Sequence, residues 1–354
     1  MSSHPARLAL AAFSIVVSAG AFAGETRYPW DQRPAECFQP SAKVRPPKYC
    51  APPAWTDFAE SKRNVDRLLA DPEDYELIER AAGELGFSGA RFPSGEYAFE
   101  ALYLSMVGNF QFSGASSAAL AKGWLDAAGA EGYAQLAQAI VYYGRAWTVR
   151  TNRAPRTVSP EAWELYYSNL EQGNATLDAA SPKLKKTGPW HALKVSIAFE
   201  HPKYARERLK LLQAAVTAWP DYLALYVIPM ERMHPNRGGS FELMEGVAQY
   251  TLSVTRASQG AAMYALAYER VFRTEQQYTL EDSEVDWLTV KEGIRDLERR
   301  RVVTAPLLWK NFAKLACQLS DRPEARRLYR LHDALLHDAL PDEADTCRAF
   351  AMKG

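Results

Sequence analysis

This 354-residue sequence carries only four cysteines, no net charge, no long apolar run beyond its first residues and none of the common catalytic signatures. Lys plus Arg and Asp plus Glu each number 42. Near-neutrality argues against nucleic acid as a partner, because a basic face supplies most of that affinity. Past the N-terminus, the most apolar stretch, YAQLAQAIVYY from Tyr133, is broken by Gln135 and Gln138 and does not reach spanning length. The motifs G-x-x-x-x-G-K-[ST], H-E-x-x-H, S-x-x-K and G-x-S-x-G are missing, so phosphate-loop, zinc-protease and common acyl-transfer chemistry lack their residues. His191, His201, His234, His332 and His337 never pair at a ligand spacing, and no C-x2-C completes a zinc set, so no metal and no cofactor is expected. Alternating apolar segments bounded by hairpin turns are scarce, which removes most strands.

What is present begins with an address. MSSHPARLALAAFSIVVSAGAFA has one basic residue, Arg7, a short apolar run and a small-x-small close at Ala21-Phe22-Ala23. That is the pattern of a signal peptide cleaved after Ala23, and the apolar run is shorter than the roughly 20 residues a span requires. Export makes disulfides available, and the cysteines fall as two terminal pairs, Cys37 with Cys50 and Cys317 with Cys347. Three connectivities are possible; proximity favours the two local ones, each worth about 3–4 kcal/mol in the chain-entropy model.

Residues 24–54 read as an irregular arm, because Pro29, Pro34, Pro40, Pro46, Pro47, Pro52 and Pro53 interrupt any regular helix. From residue 55 to 354 the periodicity is helical. Val65, Leu68 and Leu69 mark one face; Ile78, Ala81, Ala82 and Leu85 mark the next, ended by Gly86. Ser94 opens a third, with Phe99, Leu102, Tyr103 and Met106. Ser159-Pro160 is an N-cap followed by proline, ahead of Trp163, Tyr166, Tyr167 and Leu170. Ser240 caps Leu243, Met244, Val247 and Ala248, and Asp321 with Glu324 forms a capping-box pattern ahead of Ala325, Leu328 and Leu331. The helices are short and joined by polar breaks. The expected fold is all-α, a right-handed solenoid of stacked antiparallel helix pairs resembling degenerate tetratricopeptide repeats, with no strict 34-residue period.

Charged clusters read as structural. Glu281 to Asp286 precedes the apolar pattern of Trp287, Val290 and Ile294, where a helix macrodipole favours carboxylates, and Arg299 to Arg301 lie at the far end. Lys183, Lys185 and Lys186 read as a solvated turn. Aromatics are abundant, with 18 Tyr, 14 Phe and 9 Trp. Most are expected in the core; some, with arginines, are candidate recognition anchors, namely Trp147, Arg150, Arg237 and Tyr264.

Several segments resemble the bacterial family catalogued as domain of unknown function 4034. They are RFPSGEYAFEALY (Arg91 to Tyr103), YYGRAWTVRT (Tyr142 to Thr151), HPNRGGSFELM (His234 to Met244) and FAKLACQLSDRPEARRL near the C-terminus, within a span from Asp57 to Cys347. At Asn236-Arg237 the sequence departs from the tryptophan of that family's turn. The resemblance implies an exported bacterial helical-repeat protein, periplasmic or secreted, and carries no catalytic residue across. The sequon Asn174-Ala-Thr176 has no role in that compartment. The expected function is binding of a protein or peptide partner without catalysis, as an envelope scaffold or as an immunity protein against an exported toxin. The alternative is a hydrolase of cell-wall or peptide substrates, with Arg150, Glu200, His201 or Arg237 converging between helices.

Overall fold

The computed structural model describes Trp55 and residues 57–352, apart from 71–74, 93–94, 112–113, 129–131, 152–154, 275–282, 301–305 and 333–344. The signal segment, the proline-rich arm, Cys37 and Cys50, Ser94, Glu281, Asp282, Arg301 and His337 lie outside the described residues. The described residues form fifteen α-helices and no strand; a single isolated bridge pairs Arg91 with Tyr97. In chain order they are α1 (Phe58–Ala70), α2 (Tyr75–Ala81), α3 (Ala98–Phe110), α4 (Gly114–Ala128), α5 (Ala134–Arg150), α6 (Pro160–Asp178), α7 (Gly188–Glu200) and α8 (Arg208–Ala218). They continue as α9 (Ala224–Met233), α10 (Phe241–Gln259), α11 (Ala262–Thr274), α12 (Trp287–Arg300), α13 (Pro306–Gln318), α14 (Arg322–Leu331) and α15 (Asp345–Met352). The all-α expectation holds.

Local signals set many of the boundaries. Ser159 accepts from the backbone N–H of Ala162 at 3.2 Å and Pro160 begins α6, so an orphan donor is satisfied and the rigid ring stands where no donor is needed. Ser240 caps α10 in the same way through Leu243 N–H, also at 3.2 Å. Gly260, at φ +62, ends α10 in a backbone conformation that a side chain would strain, and a Cβ there would strike the Asp296 carboxylate. That carboxylate in turn accepts from Ala261 N–H at 2.8 Å and fixes the two-residue link into α11.

Consecutive helices pack on each other through most of the chain, and α1, α3, α5, α7, α9, α11 and α13 each pack on the next of that series. Three groups of buried side chains fill the seams. One runs from Trp55 to Ile197 around Leu102, Trp124, Tyr133 and Ile140. A second runs from Val227 to Ala351 around Tyr268, Phe312 and Leu328. The third joins them through Phe99, Val195, Tyr222, Tyr226 and Met263. Each large apolar side chain fully buried there contributes about 1.5–3 kcal/mol relative to exposure. Small residues let backbones approach: a Cβ on Gly144 of α5 would clash with the carbonyl of Gln111 at the end of α3.

Several expectations shift by a turn. Helix α3 starts at Ala98 with Tyr97 as its N-cap, and the Glu100 side chain accepts from Tyr97 N–H at 3.2 Å. Glu324 does not complete the capping box with Asp321; its carboxylate goes to Arg295 at 3.0 Å and to Arg327 at 2.7 Å. Leu243 and Leu331, expected on apolar faces, are exposed. Cys317 and Cys347 form a disulfide that ties α13 to α15. No described helix is long and apolar enough to cross a membrane.

Candidate functional site

Four helices and one short turn converge on Trp147. Helix α5 supplies Tyr143, Trp147 and Arg150, spaced i, i+4 and i+7 and therefore on one face. Helix α6, packed along α5, supplies Trp163 and Tyr166. Glu200 is the last residue of α7, Arg232 sits in the last turn of α9, and Arg237 closes the 3-10 turn that follows, with Gly238 at φ +88 letting the chain leave it.

The floor is Glu200, whose side chain is only 1% exposed. One carboxylate oxygen accepts from the Tyr143 hydroxyl and from Arg232; the other accepts from the Tyr166 hydroxyl. Burial pushes both phenols above their ordinary range, and the Glu200 charge adds to the shift, so they remain protonated donors. Burial alone would lower Arg232, but the Glu200 charge and the two phenols more than offset it and the guanidinium is held charged above its usual range.

The wall is cationic and aromatic. Three guanidinium carbons surround the Trp147 ring: Arg150 at 4.8 Å, Arg232 at 4.9 Å and Arg237 at 5.5 Å from its centre. Arg150 also faces Trp163 at 5.4 Å and Tyr166 at 5.9 Å. Those rings stabilise it through their quadrupoles. Arg150 is 9% exposed, and its one hydrogen bond is a long contact of 3.5 Å to the Thr151 carbonyl; no carboxylate lies within ion-pair reach of it among the described residues. Burial, with the neighbouring Arg232 and Arg237 charges, lowers its pKa from the ordinary value, yet a guanidinium stays protonated at neutral pH. Like charges gathered around one ring repel one another, which costs stability unless anions offset them. Thr151, which follows Arg150, holds φ +58, a conformation that β-branched residues rarely adopt.

The sequence expectations divide here. Trp147, Arg150 and Arg237 come together, and Glu200 joins them from below. His201 turns aside: its ring packs on Tyr167 at 4.7 Å and Tyr204 at 5.1 Å, and its Nδ1 accepts from Lys203 N–H at 3.1 Å. Tyr264 is remote from the nest and fully buried, donating to Glu245 at 2.9 Å and accepting from Asp286 N–H at 3.0 Å, so its contacts are internal ones. Tyr143, Trp163, Tyr166 and Arg232 join the site without a sequence signal of their own, apart from the helical spacing from Tyr143 to Trp147 to Arg150.

Chemically the arrangement is a donor-rich surface. Both oxygens of Glu200 are engaged by three donors and both phenols are held protonated. The described residues contain no group of His, Cys, Asp and Glu arranged to hold a metal ion. No protein-family model, curated protein or solved structure shows significant similarity to this chain.

Proposed function

We propose that the protein is an exported α-solenoid that binds a protein or peptide partner, and that the Trp147 nest is its recognition site. The observation that carries this reading is Arg150, nine-tenths buried against the rings of Trp147 and Trp163 with no carboxylate within ion-pair reach among the described residues. Arg and Trp are the residues that dominate binding energy when they sit in desolvated pockets. The solenoid reading is supported by the series of odd-numbered helices packed in file, each with its sequence neighbour alongside. Export rests on the N-terminal pattern, and membership of the domain of unknown function 4034 family rests on the motifs given above.

The hydrolase alternative has less support. Proton transfer needs an acceptor near the reacting group, and Glu200 has its oxygens engaged by Tyr143, Tyr166 and Arg232.

The test is capture of partners by the tagged mature protein from the periplasm, with crosslinking and mass spectrometry, run beside Trp147→Ala. A stoichiometric partner retained by the wild type and lost by the variant supports the reading. Turnover of a peptide or cell-wall substrate by the pure protein, abolished in a nest variant, overturns it. Intact mass of the same preparation checks cleavage after Ala23.

A further inference from the structure

We propose that the group the Trp147 nest accepts is a carboxylate of a peptide chain, held by the planar fork of Arg150. This rests on the reading of the protein as a peptide binder and adds the chemistry of what is bound.

The argument starts from which donors remain. Arg232 is committed to Glu200 and touches the Tyr143 hydroxyl at 3.4 Å. Arg150 is different: nine-tenths buried, it has among the described residues only the 3.5 Å contact to the Thr151 carbonyl and the faces of Trp147, Trp163 and Tyr166. A guanidinium has five N–H donors in a rigid fork, and ring faces engage its plane without satisfying the N–H groups at its edge. A planar acceptor that can take two parallel N–H bonds fits that edge, and a carboxylate is the common biological group of that shape. Its single negative charge also offsets the buried charge of Arg150, which has no carboxylate within ion-pair reach among the described residues.

Phosphate is the nearest competitor, and the surroundings favour carboxylate. A phosphate dianion has more acceptor sites than one fork can fill. The rings of Trp147 and Trp163 beside Arg150 offer instead an apolar surface, suited to the aliphatic part of a peptide residue attached to its carboxylate.

The experiment uses the full mature chain, immobilised, and three synthetic pools of random octapeptides. One pool lacks Asp and Glu and has a free C-terminus; the second lacks both acids and is C-terminally amidated; the third is amidated but contains Asp and Glu. Retention of the first or third pool at about tenfold or more over the second, lost in Arg150→Gln, is the expected result. Preference for the first assigns the chain terminus, and preference for the third assigns an acidic side chain. Equal retention of all three pools overturns the carboxylate inference while leaving peptide binding intact.

If no pool is retained, the peptide-binding reading fails, and sodium acetate then decides the site chemistry. Acetate that raises the melting temperature of the wild type above that in sodium chloride of equal ionic strength, but not that of Arg150→Gln or Arg150→Lys, supports the site. No such shift, or a larger one with inorganic phosphate, overturns it. Arg150→Lys keeps the charge and loses the planar fork, so it separates bidentate recognition from simple attraction.

Discussion

The nest around Trp147 and the charged seam between α12 and α14 use the same residue types to opposite ends. In the seam, guanidiniums meet carboxylates in equal number: Arg327 bridges Glu298 at 2.8 Å and Glu324 at 2.7 Å, and Arg295 reaches Glu324 at 3.0 Å. Lys291 pairs with Asp321 at 2.9 Å beside them. His332 stacks on Trp309 and comes within 3.5 Å of Glu298. That seam is closed on itself. In the nest, Arg232 pairs with Glu200, while Arg150 lies against ring faces with no carboxylate within ion-pair reach among the described residues. The contrast separates ion pairing that fastens two helices from ion pairing that leaves a demand for something outside the chain.

The largest expected effect removes the buried carboxylate of the nest. Glu200→Gln keeps the shape but leaves Arg232 buried and charged without its ion-pair partner. Breaking a buried pair in that way costs about 3–5 kcal/mol. Denaturant unfolding of wild type and variant measures it; a loss under 1 kcal/mol would mean that Glu200 is not the anchor of the nest.

A comparable loss is expected from the opposite end of the molecule by a different mechanism. Cys317 and Cys347 are 30 residues apart in sequence, and replacing both by serine releases a loop constraint worth about 3–4 kcal/mol in the chain-entropy model. The loss should fall on α13 and α15, read as faster amide exchange there, with α5 and α6 unaffected. Uniform exchange throughout would show that the two regions unfold as one unit.

Sequence made the seam more legible than the nest. Asp321 announced α14 as an N-cap, and Arg299 was read as a helix-end charge, although it pairs with Asp296. Such signals are local, spanning three or four residues, and follow from helix geometry alone. The nest draws on Tyr143, Tyr166, Glu200 and Arg232, which are far apart in the chain and belong to four helices. Their meeting depends on how α5, α6, α7 and α9 stack, and no periodicity within one helix encodes that. Trp147, Arg150 and Arg237 were legible as residue types suited to recognition, but not as neighbours. Tyr264 had the same residue-type signal and lies in the core, because a tyrosine on an apolar stripe packs inward whenever its hydroxyl finds a partner, here Glu245.

The direct comparison of the two regions is a matched pair of substitutions. Among the described residues, Arg327→Leu leaves Glu298 with His332 alone and the buried Glu324 with Arg295 alone, and about 2 kcal/mol of stability should be lost. Arg150→Leu removes a buried charge that has no carboxylate partner and relieves repulsion from Arg232 and Arg237. Its effect should lie within about 1 kcal/mol of zero. Equal losses, measured by denaturant unfolding under one set of conditions, would erase the distinction drawn between seam and nest.

The smallest expected effect concerns pH and again sets the two parts of the chain against each other. In the seam, burial would raise Glu298, but the hydrogen bonds of His332 and Arg327 more than offset it and hold the carboxyl below its ordinary range. A carboxyl lower in the folded state than in the unfolded one contributes stability above its unfolded pKa and loses it as the pH falls, here below about pH 4. Glu100, in the first turn of α3, goes the other way. Burial, with the neighbouring Glu96 charge, raises it to about 7, despite its hydrogen bond from Tyr97 N–H. Between its unfolded and folded pKa values, about pH 5 to 7, the folded state binds more protons than the unfolded, so stability decreases as the pH rises. Glu100→Gln keeps an acceptor for the Tyr97 N–H and cannot ionise. The variant should therefore gain on the order of 1 kcal/mol relative to wild type at pH 7 and nothing at pH 4.5, because some of the side chain remains near water. Melting temperatures of both proteins across that window provide the measurement. Parallel curves would show that Glu100 titrates as an ordinary carboxyl, and would leave the acid side of the seam as the pH response that distinguishes the two regions.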